Sequence, residues 1–271
     1  MPSSEELKLE TIQLDWATEG VLVATLNRPD RLNAMTMDMF AELERLAHHV
    51  ADRAGARVLI LTGAGRAFCA GYDLADAAEL PGLSPMGMLE RQERAVRALS
   101  SIRAVRVPVI AAVNGAVAGG GLALALAADI RVASPAAKFN AAFVRIGLSA
   151  GDLGTSWLLP RLVGPALAAE IAYTGRFVEA AEAERIGLVN KVVPAQDLLG
   201  EAVAMATLIC ANSPAGVQLS KRALQANMEV TSYAAALELE NRGQALLTRG
   251  EDLPEALAAF RAKRPPTFTG R

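Results

Sequence analysis

Apolar residues in this chain fall into two patterns, short unbroken runs and longer stretches at helical spacing, and the two alternate through its first two thirds. The β-rich run Val21–Leu26 is stopped by Asn27-Arg28-Pro29-Asp30, since proline cannot continue a ladder. Phe40, Leu43, Leu46, Ala47 and Val50 then recur on one helical face, predicting a helix that Thr36 caps and that ends by Gly55. Val58-Leu59-Ile60-Leu61 is wholly apolar, the signature of a strand covered on both faces in a parallel sheet. Strands over 107–113 and 129–133 follow, the first preceded by a helix over 88–103 and the second by one over 122–128. The Gly/Pro-rich stretch 63–85 reads as a loop with a short helix over 74–80, and as a candidate pocket wall. From Pro194 onward only helices are predicted, over 195–211, 214–228, 232–249 and 254–262, before a frayed end at Lys263-Arg264-Pro265-Pro266. Strand and helix in alternation predict an α/β core over residues 1–193, with a C-terminal helical region over 194–271.

Composition narrows the possible partners. A chain of 271 residues that is 52% hydrophobic and 21% charged can bury a large core. Its 27 basic and 29 acidic residues nearly cancel and form no basic block with interleaved aromatics, which argues against nucleic acid as a partner. Residues 1–10 lack a basic then apolar leader pattern, and no apolar run is long enough to span a bilayer. A cytoplasmic protein without a membrane partner is the expectation. Cys69 and Cys210 lack the paired spacing of a metal site, and the adjacent His48 and His49 point different ways from one helix, so no metal is expected.

Two turns carry candidate chemistry. In Ala118-Gly119-Gly120-Gly121, consecutive glycines leave backbone N–H groups unshielded where a helix begins, a place suited to an anion or a developing oxyanion. The same glycines also suit close packing of an Ala-rich helix on a sheet. The segment Phe68-Cys69-Ala70-Gly71-Tyr72-Asp73 likewise follows a buried strand by a short loop, and by itself reads equally as an ordinary turn.

Together these segments resemble the enoyl-CoA hydratase/isomerase (crotonase) superfamily. The resemblance begins at Leu26-Asn27-Arg28-Pro29 and runs through Leu32-Asn33-Ala34-Met35, the turn at Phe68–Leu74 and Pro108-Val109-Ile110-Ala111-Ala112-Val113-Asn114-Gly115. It goes on through the Gly119-Gly120-Gly121 triplet, Ala128-Asp129-Ile130-Arg131, Leu159-Pro160-Arg161-Leu162-Val163-Gly164 and Thr174-Gly175-Arg176 to Ser213-Pro214 and Lys221, covering residues 12–262. It implies a crotonase-like (ClpP/crotonase) α/β fold of repeated ββα units whose C-terminal helices drive assembly into a homotrimer or homohexamer. It also implies an acyl-CoA thioester as substrate, with coenzyme A entering as part of that substrate and no separate cofactor. Ala70 and Gly120 are the positions the resemblance gives to the two oxyanion N–H donors. Ala70, Gly71, Tyr72, Asp73 and Leu74 would line the thioester path with Gly119 and Gly120, while Phe143 and Trp157, with Met86 and Leu89, would border the acyl group. Arg28 and Lys221 would meet the CoA phosphates, or else form surface ion pairs.

The catalytic carboxylates depart from the family pattern. Hydratases of the superfamily hold water between two glutamates, and the matching positions here are Ala123 and Phe143. Neither transfers a proton. The remaining carboxylate is Asp152, in Ser149-Ala150-Gly151-Asp152-Leu153-Gly154-Thr155, which resembles in position the aspartate of some dienoyl-CoA isomerases, thioester hydrolases and dehalogenases. It can serve as acid/base, and it can equally cap the helix beginning near Gly154. The expected activity is therefore that of a lyase or isomerase of the family with Asp152 as acid/base; a thioester hydrolase and a non-catalytic acyl-CoA-binding protein stay open as alternatives.

Overall fold

The computed structural model describes residues 7–52 and 55–271. Three successive ββ pairs build it: β3 (Val58–Gly63) with β4 (Ala67–Cys69), β5 (Val109–Val113) with β6 (Ala116–Ala118), and β7 (Ile130–Ala133) with β8 (Lys138–Asn140). The first strand of each pair joins a six-stranded sheet and the second joins a four-stranded one. The larger sheet also takes β1 (Ile12–Thr18), β2 (Val21–Leu26) and β10 (Lys191–Val192), in the order β1-β2-β3-β5-β7-β10. Only its β1–β2 pair is antiparallel. The smaller sheet runs β4-β6-β8-β9, where β9 is Phe177–Glu179.

The unbroken apolar runs are explained by cover on both faces. Val58, Leu59, Ile60 and Leu61 are fully buried, with Leu59 and Leu61 in one core and Val58 and Ile60 in the other. Helices α1 (Met37–Asp52), α3 (Pro85–Ala104) and α4 (Gly120–Ala127) fill the first core. The second is closed by α8 (Leu198–Cys210) through Leu198, Ala202 and Ala206, so the helical region begins by completing the sheet's outer layer. Beyond it lie α9 (Pro214–Asn227), α10 (Tyr233–Leu247) and α11 (Asp252–Ala262).

Two expectations are corrected. The segment 263–271 is tied down rather than frayed: Arg264 pairs with Glu255, Thr267 N–H donates to that same carboxylate, and Thr269 and Gly270 donate to Asp252. Helix α3 starts at Pro85, three residues earlier than the pattern suggests, because proline suits the first helical turn and Ser84 accepts from Gly87 N–H as the cap. The three short strands of the smaller sheet that end next to the cleft, β4, β6 and β8, escape periodicity because three residues give no repeat to read.

Candidate functional site

Strands β4 and β6 are parallel neighbours, as are β6 and β8, so their C-terminal ends deliver three turns to one edge of the smaller sheet. From β4 come Ala70, Gly71 and Tyr72; from β6, Gly119 and Gly120; from β8, Ala142 and Phe143. All of them line one cleft of about 470 Å³. Open α/β sheets commonly bind ligands at this end of their strands. Asp152, in the loop before α5 (Thr155–Val163), lines the same cleft, as do Arg91 and Gln92 of α3.

Glycine geometry decides which amides face the cleft. Gly71 has φ of +100° and Gly119 has φ of +50°, both in the region that favours glycine. A Cβ on Gly71 would also lie 2.7 Å from Ala118 O, so the two turns touch backbone to backbone. The Ala70 N–H is spent on Leu32 O at 3.0 Å. That corrects the expected role of Ala70 as an oxyanion donor, although the residue does line the cleft. The positive φ of Gly71 reverses the backbone after it: Gly71 O accepts from Met35 N–H at 2.7 Å and Asp73 N–H donates to Met35 O at 3.0 Å, leaving the Tyr72 amide turned the other way. Tyr72 N–H has no acceptor among the described residues, nor has Gly120 N–H at the first position of α4. A Cβ built on Gly120 would stand 4.0 Å from Tyr72 N, and one built on Gly71 would stand 3.4 Å from Gly120 N. Two donors without an acceptor among the described residues, those of Tyr72 and Gly120, therefore lie close together.

Side chains divide into those that face the cleft and those that hold its frame. Tyr72 and Leu74 line it, as do Met35 and Phe40, the latter stacked on the Tyr72 ring at 6.1 Å. Arg91 Nε donates to the Tyr72 hydroxyl at 2.7 Å and also pairs with Asp76 and Glu79. Burial nonetheless raises the phenol above its ordinary range. Asp73 is a framework residue. It accepts from Ala75 N–H as the cap of α2 (Leu74–Ala77) and from Arg28 at 2.8 Å. Burial acts to raise its carboxyl, but the bonds from Arg28 and Ala75 outweigh it and hold the group below the ordinary carboxylate range. Arg28, bonded also to Ala34 O, is thus engaged inside the fold instead of reaching for a phosphate, and neither it nor Asp73 lines the cleft.

A depressed folded-state value means that this ion pair stabilises the fold above the unfolded carboxylate range and that the contribution is lost as pH falls through the folded value. Arg28→Met should therefore lower stability by about 1 to 3 kcal/mol at neutral pH, and thermal melts in acid should show the gap from wild type closing. A gap that stays constant with pH would remove the pair from the account.

Three further expectations change. Trp157 lies on α5 outside the cleft, 42% exposed with Arg161 stacked on its ring. Neither Met86 nor Leu89 lines the wall; Met88, between them, does. Lys221 is buried, paired with Asp129 at 2.7 Å and donating to Val107 O at 2.9 Å. It borders a larger cavity of about 690 Å³ beneath α9, but Lys221, Asp129 and Arg131 there are engaged with one another or with main-chain carbonyls. The smaller cleft, by contrast, carries main-chain donors without an acceptor among the described residues. Cys69 is no nucleophile, since complete burial pushes its thiol up to about 12.

Asp152 is half-buried, and desolvation raises its carboxyl above the ordinary range against hydrogen bonds from Gln92 and Leu153 N–H. It is the sole carboxylate among the described residues lining the cleft. No side chain caps α5, whose N-cap is Gly154; Asp152 contributes only its main-chain oxygen, to Thr155 N–H at 2.8 Å. The carboxyl is thus free of the capping role. Leu153, next to it, holds φ of +48°, a left-handed conformation costly for a residue other than glycine, and both residues line the cleft. Ala123 is fully buried in the core, and Phe143 lines the cleft as an apolar wall.

The model for enoyl-CoA hydratase/isomerase proteins matches residues 17–271. The chain is 44% identical over 252 residues to a probable enoyl-CoA hydratase of Mycobacterium tuberculosis, covering 90% of this chain and 88% of that protein. It is 40% identical over 262 residues to the 1,2-epoxyphenylacetyl-CoA isomerase of Escherichia coli, covering 95% and 98%. Its fold superposes on the crystal structure of an enoyl-CoA hydratase from Bacillus anthracis with a TM-score of 0.92 at 34% identity, over 97% of this chain and all of that one.

Proposed function

This chain belongs to the enoyl-CoA hydratase/isomerase family of acyl-CoA-processing enzymes, and we propose that within it the chain is an isomerase that moves a proton between carbons of an enoyl-CoA, using a single carboxylate. The thioester oxygen accepts from Tyr72 N–H and Gly120 N–H. As the C2–H bond breaks, the proton passes to Asp152 and negative charge gathers on that oxygen. The same carboxyl then returns the proton at C4, the double bond shifts from C3–C4 to C2–C3, and nothing is consumed. Preorganised amides in a dry cleft are well suited to the charge, because they need not reorient as it develops. A carboxyl raised by desolvation is a stronger base than one in water and surrenders its proton less readily until a carbanion asks for it.

One observation carries this reading: the cleft presents two unpaired amides and a lone carboxylate. With Ala123 and Phe143 at the hydratase positions, no second acid holds a water for addition. The apolar walls from Met35, Phe40, Phe143 and Leu153 favour an alkyl or aryl acyl group.

The test is a panel of 3-enoyl-, 2-enoyl-, dienoyl- and β-hydroxyacyl-CoA esters with wild type and Asp152→Asn. Conversion of 3-enoyl to 2-enoyl ester should fall by about 10² to 10⁴ in the variant while CoA-ester binding persists. Release of free CoA instead would make the enzyme a hydrolase. Binding without turnover of any ester, indifferent to the substitution, would make it a binding protein and end the proposal.

A further inference from the structure

Gln92 has no counterpart in the roles assigned so far, yet its Nε2 donates to Asp152 Oδ1 across sixty residues of sequence. It sits three positions before Ala95 on α3, at the edge of the buried stripe Ala95, Ala98, Leu99 and Ile102 that anchors the helix, so its backbone is fixed by packing. The titratable groups nearby are Arg91 on the same helix and, beyond it, Tyr72, Asp76 and Glu79. Arg91 bonds to or pairs with the other three, and Asp76 also accepts from Met37 N–H. Asp152 thus meets a neutral donor where a cation would be the simpler partner.

We propose that Gln92 is a positioning residue: its amide fixes the plane of the Asp152 carboxyl and leaves Oδ2 as the oxygen that exchanges the proton with substrate carbon. This rests on the acid/base reading of Asp152 above. The bond survives catalysis, because Oδ1 remains an acceptor after Oδ2 takes the proton, so both protonation states are held in one orientation. A lysine or arginine there would hold the carboxylate as well but would favour its charged form and weaken it as a base. An uncharged amide orients while conceding less of the basicity that desolvation provides.

The experiment compares wild type, Gln92→Leu and Gln92→Glu in two ways. The titration of Asp152 is followed by carboxyl ¹³C NMR, with the resonance assigned by its loss in Asp152→Asn, and the pH profile of kcat is measured on a 3-enoyl-CoA ester. In Gln92→Leu the carboxylate loses a donor, so its midpoint rises and the acidic limb of kcat moves up with it. Plateau kcat should fall on the order of tenfold, the loss expected for one hydrogen bond to a charged group, with KM little changed. Gln92→Glu, of the same shape, places a second carboxylate beside the first and should raise the midpoint as well; it serves if the leucine variant melts early. A midpoint in either folded variant equal to that of wild type overturns the proposal. Failure of the function proposed above reads differently: no ester would be turned over even by wild type, while the NMR midpoint would still report whether Gln92 governs Asp152.

Discussion

Gly120→Ala is expected to yield a folded protein whose turnover of its acyl-CoA substrate has dropped on the order of 10²-fold or more: alanine keeps the N–H, but its methyl bars the thioester oxygen from it, with the effect of losing one oxyanion donor. The added methyl would stand 2.6 Å from Met35 Cε and 3.3 Å from Leu153 Cδ1, both far ends of flexible side chains that can move aside. The fold survives because no backbone is struck. The cleft does not, since the methyl projects beside the Tyr72 amide, 4.0 Å from its nitrogen, where the thioester must lie. Displacing Leu153 also disturbs the strained turn that presents Asp152. Thermal melting close to that of wild type together with collapsed kcat is the expected pair of results; undiminished kcat would place the oxyanion elsewhere.

The next residue should behave in the opposite way. In Gly121→Ala the new Cβ would fall 2.1 Å from Cys69 O and 2.8 Å from Cys69 C, main-chain atoms at the end of β4 that α4 packs against. Relief requires the helix and the smaller sheet to separate. The cost should exceed about 3 kcal/mol, the upper part of the usual range for overpacked cores, which is a large share of a typical domain's stability. Gly121→Ala should therefore accumulate as insoluble or molten protein, visible as lost near-ultraviolet circular dichroism. A soluble variant with native melting would show that β4 and α4 are less tightly apposed than these distances require. Two adjacent glycines of one triplet thus serve different ends, one leaving space for substrate and the other letting a helix meet a strand.

Much of this was legible in the chain itself. Val58–Gly63 and Val109–Val113 announced buried parallel strands because no polar residue interrupts them, and the helix after Thr36 was legible from its apolar spacing and its cap. The motif resemblance pointed to both turns of the cleft and to Asp152. It named Ala70 where the amide left without an acceptor is that of Tyr72, two residues on. An alternating strand would aim the amides of residues 70 and 72 to the same side, and only the φ of Gly71 separates them, sending Ala70 N–H to Leu32 and freeing Tyr72 N–H. Asp73 and Arg28, polar and next to the turn, looked like substrate contacts but proved to bind each other.

Sequence alone determined the α/β alternation, the glycine-rich turns and the apolar identity of Ala123 and Phe143, because periodicity, backbone freedom and side-chain identity are local properties. Tertiary structure alone decided which amides stay unpaired, that α3 brings Gln92 to Asp152, and that Lys221 and Trp157 lie outside the cleft. The reason is physical: whether a donor or carboxyl is free depends on what the rest of the chain places beside it, and those partners come from distant segments that no local pattern encodes.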